Sequence, residues 1–79
     1  MTPTPDLDIV IATRDLCRSG LARAIREDAA ISLRELAAAT GLSFSALSKY
    51  ERGEQSPGPY AAEKLGVALN RILNARCPS

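Results

Sequence analysis

Residues 32–53 read SLRELAAATGLSFSALSKYERG, and two short amphipathic segments meet there at a single glycine. Ser32 is a capping residue, and Glu35, three positions on, can reach back to the amide of the cap. This S-x-x-E box in front of an apolar stretch starts a helix. Leu36 gives that helix a core contact, and Ala37 a side chain small enough for another helix to cross closely. Gly41 admits the positive backbone angle that ends a helix in about one turn of chain. Leu42 buries just after it, and Ser43 caps a second helix from about Phe44 to Glu51. At about 100° per residue, Ala46, Leu47, Tyr50 and Glu51 share one arc of that helix. Phe44, Ser45, Ser48, Lys49 and, one turn further, Arg52 share the other. One arc packs and the other faces outward.

Working outward, Gly53 stops the second helix, and Ser56, Pro57, Gly58 and Pro59 make a turn whose last proline suits the first turn of another helix. From there Tyr60, Leu65, Ala68, Leu69, Ile72 and Leu73 continue an amphipathic pattern to Asn74 or Ala75, with Gly66 weakening the helix but allowing close packing. On the other side, Leu16, Leu21, Ala24 and Ile25 keep roughly helical spacing between Asp15 and Asp28, around Gly20 as a break or a start. Pro3 and Pro5 keep residues 1–5 out of helix. Residues 6–12, DLDIVIA, are a short helix or a strand, because so brief an apolar run cannot choose by periodicity. The expected organisation is an N-terminal extension over 1–15, a helical domain over 16–75 and a tail over 76–79.

The chain has 79 residues, 46% of them hydrophobic but with only three aromatics, enough for one small α-helical core. No apolar run approaches the roughly 20 residues that span a bilayer, and the N-terminus is acidic where a secretory signal is basic. A cytoplasmic location without membrane contact is expected. Cys17 and Cys77 lie sixty residues apart and histidine is absent, so neither a zinc site of ordinary spacing nor a Cys/His catalytic pair can be built. Reduced, structural cysteines, no metal, no cofactor and no small-molecule ligand are the expectation. Without clustered carboxylates or a glycine-rich phosphate loop, enzymatic chemistry has no visible machinery. Net charge is only +1, but Asp6, Asp8 and Asp15 hold part of the acid; beyond residue 16, nine basic residues face six acidic ones. Arg34, Lys49 and Arg52 belong to the two central helices and their exit.

The two central helices form a helix-turn-helix, and the stretch resembles the Cro/repressor type of such domain, the XRE family. The resemblance rests on Leu36-Ala37, Gly41-Leu42, Ser43, Leu47, Tyr50-Glu51-Arg52-Gly53, Pro57 and Leu65 through Leu69, in register over about residues 19 to 70. It implies an all-α, lambda-repressor-like bundle of about five helices whose second motif helix enters the major groove of double-stranded DNA. The positions corresponding to base readers are Phe44, Ser45, Ser48 and Lys49. Lys49 suits guanine O6 and N7, the serines suit purine edges or phosphate, and Phe44 suits a thymine methyl. Ser43, at a helix start, and the guanidinium groups of Arg34 and Arg52 suit phosphate. Arg26 and Glu51 match positions that form a buried ion pair in such repressors.

Two departures stand out. Leu33 and Phe44 occupy positions where relatives frequently carry glutamine or another polar residue, so part of the usual contact network is missing. The implied function is a small phage-type or Cro-like regulator, little more than its DNA-binding domain, acting as a homodimer on a palindromic operator. The dimer surface is expected from Leu69, Ile72 and Leu73 or from Ile9, Val10 and Ile11, each with core packing as the alternative role. The competing function is a protein-interaction module, such as an antitoxin or anti-repressor, that keeps the fold and docks through Leu33, Phe44 and the N-terminal segment.

Overall fold

The structure is a computed structural model and describes residues 6–76. The described chain is all-α: α1 (Leu7–Ser19), α2 (Leu21–Asp28), α3 (Leu33–Thr40), α4 (Phe44–Glu51) and α5 (Pro59–Arg76). Residues 1–5 and 77–79, Cys77 among them, lie outside the described residues.

The N-terminal part differs from the expected division. DLDIVIA is helical and runs without interruption through Asp15 into α1, so no boundary falls between residues 15 and 16. Two things that periodicity alone does not carry decide this. The Asp6 carboxylate caps the helix, accepting from the Asp8 and Ile9 amides at 2.9 and 3.4 Å. Val10, Thr13 and Cys17 then line up as one buried helical face. Gly20, which the sequence offers as a break or a start, is a break: residues 15–28 fall in two helices divided there, at a φ of 85° that no side chain adopts cheaply. The break changes the phase of the apolar positions. Ala22 and Arg26 are the buried residues of α2, while Leu21 is 54% exposed.

The central cluster joins Cys17, Ala22, Leu36, Leu47, Tyr50, Leu65 and Leu69, with Ala62 fully buried on α5. Burial pushes the Cys17 thiol up to about 11, helped by the negative charge of Glu51, so the thiol stays neutral within the core. Val10 and Leu69, offered by the sequence as dimer contacts, are core residues; Ile11 and Leu73 are exposed. Tyr60, counted in the apolar pattern of α5, is also exposed. The turn before α5 is fixed to α1 by the Arg14 Nε, which donates to the Pro57 carbonyl at 2.9 Å.

One buried ion pair ties α2 to the end of α4. Arg26 donates through Nε to Glu51 Oε2 at 2.7 Å and through Nη2 to Glu51 Oε1 at 3.0 Å, while its Nη1 donates to the Ile31 carbonyl at 2.8 Å. The side chains are only 10% and 6% exposed. The hydrogen bonds to Glu51 raise the Arg26 pKa further above its ordinary value, so the guanidinium is always charged. The same arginine holds the α2–α3 turn, where Ala30 sits in the left-handed region at φ 59° and the Ile31 amide donates to the Arg26 carbonyl at 3.1 Å.

Two stability predictions follow from this packing. α1 crosses α5 at Gly66, where an added Cβ would overlap Thr13 Oγ1 and stand 2.6 Å from Ile9 Cγ2, both on stiff branched side chains. Gly66→Ala gains helix propensity of about 1 kcal/mol but incurs overpacking of about 1–3 kcal/mol. The net effect expected in a thermal melt is a loss of order 10 °C or less; a raised melting temperature would show that α1 does not pack there. Arg26→Ala or Glu51→Ala strands a buried charge at a cost of about 3–5 kcal/mol. Replacing both by Met and Leu should destabilise less than either single change, a non-additivity that denaturant titration of the three variants measures directly.

Candidate nucleic-acid interface

The motif is built by local hydrogen bonds that its own residues supply. The Ser32 hydroxyl accepts from the Glu35 amide at 3.0 Å, and Glu35 Oε1 accepts from the Ser32 amide at 2.9 Å, which completes the capping box. The Ser32 amide, and then its hydroxyl, hold the Glu35 carboxyl below its usual value. α3 ends at Gly41, φ 75°, whose amide donates to the Ala37 carbonyl at 2.8 Å. Thr40 adds a contact that the sequence reading passed over. Its hydroxyl donates to the Leu36 carbonyl at 2.8 Å and accepts from the Leu42 amide at 3.2 Å, linking the end of α3 to the turn. A threonine directly before the turn glycine was the available signal.

Past the turn, the Ser43 hydroxyl accepts from the Ala46 amide at 3.0 Å and opens α4. Leu47 and Tyr50 bury one side of α4, with Ala46 half-buried. Glu51 anchors its last turn through Arg26, so both ends of this eight-residue helix are held.

The other side is open. Phe44 is 49% exposed; Ser43, Ser45, Lys49 and Arg52 are exposed, and Ser48 is half-buried. Arg34, exposed on the first turn of α3, reaches this side, with its guanidinium carbon 5.7 Å from the centroid of the Phe44 ring. Such an exposed cation–π contact is worth about 0.5–1 kcal/mol. Arg34 and Lys49 make no ion pair among the described residues. Arg52 differs: its Nε lies 2.7 Å from Glu54 Oε2, so part of its charge is answered within the chain. The structure thus brings Arg34, Ser43, Phe44, Ser45, Lys49 and Arg52 onto one exposed side of the motif. Ser48 lies further in, and Arg26 and Glu51 lie behind it as support.

This surface combines two exposed cations, small hydroxyl groups and one exposed ring on a backbone fixed at both ends. It matches the requirements of a double-helical polyanion better than those of a small molecule. Among the described residues there is no group of His, Cys, Asp or Glu side chains able to hold a metal ion, and no helix long and apolar enough to cross a membrane.

A family model described as helix-turn-helix matches residues 23–72, which includes α3, α4 and most of α5. No curated protein and no solved structure matches the chain. With well over half its length inside that model, the chain belongs to the XRE type of helix-turn-helix family, a family of DNA-binding transcription regulators.

Proposed function

We propose that the chain is a small phage-type regulator that binds a palindromic operator as a homodimer, with α4 in the major groove, and blocks competing proteins sterically. The observation that carries this reading is the open side of α4: Lys49, without an ion pair among the described residues, shares it with Ser45 and Phe44, on a helix capped by Ser43 and anchored by Glu51. In this reading Lys49 donates to guanine, Ser45 and the less accessible Ser48 bond base edges, and Phe44 meets an apolar base group. Ser43, Arg34 and Arg52 take phosphates, Arg52 more weakly because Glu54 competes for it. Two-fold pairing multiplies the modest affinity of one short helix across half-sites about 10 base pairs apart. Of the apolar candidates, the exposed Ile11 or Leu73, with Ile72 beside it, are available for that pairing. The working location is the bacterial or phage-infected cytoplasm, on the nucleoid.

A second reading, in which the same side docks a partner protein, is favoured by one observation, the half-exposed Phe44 ring. Arg34 near that ring and Lys49 on the same exposed side of the motif favour the polyanion.

The two readings separate in fluorescence anisotropy of the purified chain on the DNA upstream of its own gene and on a shuffled duplex. Sequence-preferring binding that weakens steeply between roughly 50 and 200 mM salt is expected; equal, weak binding to both duplexes would sink the operator reading. Lys49→Ala should change sequence preference, whereas Arg52→Ala should weaken all duplexes alike. Sequence-blind losses for both would make Lys49 a phosphate contact. Sedimentation of the free chain and of the complex tests the dimer.

A further inference from the structure

A groove of about 320 Å³ lies between α3 and α5, on a face of α5 other than the one α1 meets at Gly66. Ile31, Val67, Ala68 and Ile72 give it an apolar lining, and Val67 is 38% exposed. The groove continues past Lys64 to Thr40 in a second hollow of about 250 Å³. Lys64 and Arg71 stand at its edge seven residues apart, and two helical turns put them on one line of α5. Both are exposed and make no ion pair among the described residues. The acids nearby are engaged elsewhere: Glu35 closes the capping box, and the Glu63 carboxylate accepts from the Asp6 amide at 2.6 Å. An apolar trough is thus left with unanswered positive charge.

α1 presents the complementary surface. Leu7 and Ile11, one turn apart, are 67% and 59% exposed. Asp8 and Asp15 are exposed along the edge of this ridge, again seven residues apart. Asp8 makes no ion pair among the described residues; Asp15 meets Arg18, an exposed pair of the kind that contributes little and exchanges readily. An apolar ridge edged by two acids therefore matches an apolar trough edged by two bases, with the same spacing of about 10 Å along either helix.

We propose that the outer face of α1 of one copy seats in the α3–α5 groove of another, with Leu7 and Ile11 against Val67 and Ile72, and Asp8 and Asp15 against Lys64 and Arg71. The two surfaces differ, so the contact is head to tail and repeats from copy to copy instead of closing on a two-fold axis. It goes beyond the operator reading: none of these residues belongs to the open side of α4, and Leu73 stays available for two-fold pairing. The surfaces are small, so the association is weak and depends on concentration.

The test is sedimentation of the purified full chain, without DNA, over a concentration series. The native chain is expected to grow past a two-fold dimer as concentration rises and to shrink toward it as salt rises. Lys64→Glu with Arg71→Glu should weaken this association about tenfold, two exposed ion pairs being turned to repulsion; Lys64→Gln with Arg71→Gln, gentler on the fold, should weaken it less. Leu7→Gln with Ile11→Gln, at exposed positions, should abolish it, with thermal melting showing that each variant is folded. Mixed together, the groove variant and the ridge variant should form a complex larger than either alone, because the intact ridge of one fits the intact groove of the other. That complex extends no further through these surfaces.

A native chain whose mass never exceeds a two-fold dimer, a groove or ridge variant that associates like the native chain, or a mixture without complementation would overturn the proposal. Each would leave the groove to an acidic helix of another protein. With no DNA in the experiment, none of these outcomes bears on the operator reading, whose failure shows only in the anisotropy.

Discussion

The position of α4 depends on a charge that water no longer solvates. Arg26 and Glu51 come from separate helices of a chain with little core to spare, and their bidentate contact fixes the last turn of α4 against α2. The third guanidinium nitrogen holds the carbonyl of Ile31, so the turn leading into α3 is fixed by the same side chain. Both motif helices therefore take their bearings from one residue. A hydrophobic pair could supply comparable stability, but apolar contacts are non-directional, whereas a planar fork admits a single relative placement of donor and acceptor. Such orientation fixes the direction in which the exposed side of α4 faces.

Against that fixed frame the exposed side is economical. The chain as a whole is nearly neutral, and several of its cations are answered by nearby acids: Arg18 by Asp15, Arg23 by Glu27, Arg52 by Glu54 and Arg76 by Asp28. Among the described residues Arg34 and Lys49, on the open side of the motif, make no ion pair; Arg14, Lys64 and Arg71 make none either, away from that side. The open side of α4 therefore carries unanswered positive charge although the chain's sum is small. A weak uniform field also limits indiscriminate attraction, which leaves more of the discrimination to short-range contacts.

What could be read in the sequence follows the range of the interactions. The capping box, the Gly41 turn and the Ser43 cap act over three or four residues, and their signatures stand in the chain itself. The division of α4 into packed and open arcs was legible because a helix converts spacing into direction, although Ser48 proved half-buried where neighbouring elements close in. The Arg26–Glu51 contact, 25 positions apart, came from a family resemblance and not from any local pattern. Spacing leaves the start of α1 between helix and strand because its helical state depends on a capping carboxylate together with a buried face that only α5 completes. The Arg34–Phe44 contact and the Arg52–Glu54 pair left no periodic trace at all. Both are choices among side-chain directions that the fold makes available.

α1 begins and ends before residue 23, where the matched helix-turn-helix sequence starts, yet Val10, Thr13 and Cys17 are buried along with the core residues of that stretch. The portion of the chain that the family model matches and the portion that folds as a unit are thus not the same. Trimmed to its family-matched residues, the molecule would keep every group that faces outward from α4 but would uncover the strip of α5 around Gly66 and Leu69. A helix outside the shared pattern is free to diverge in its exposed positions while its inner ones stay bound to the core. The outer surface of α1, and hence the company it keeps, can in this way change without altering α4.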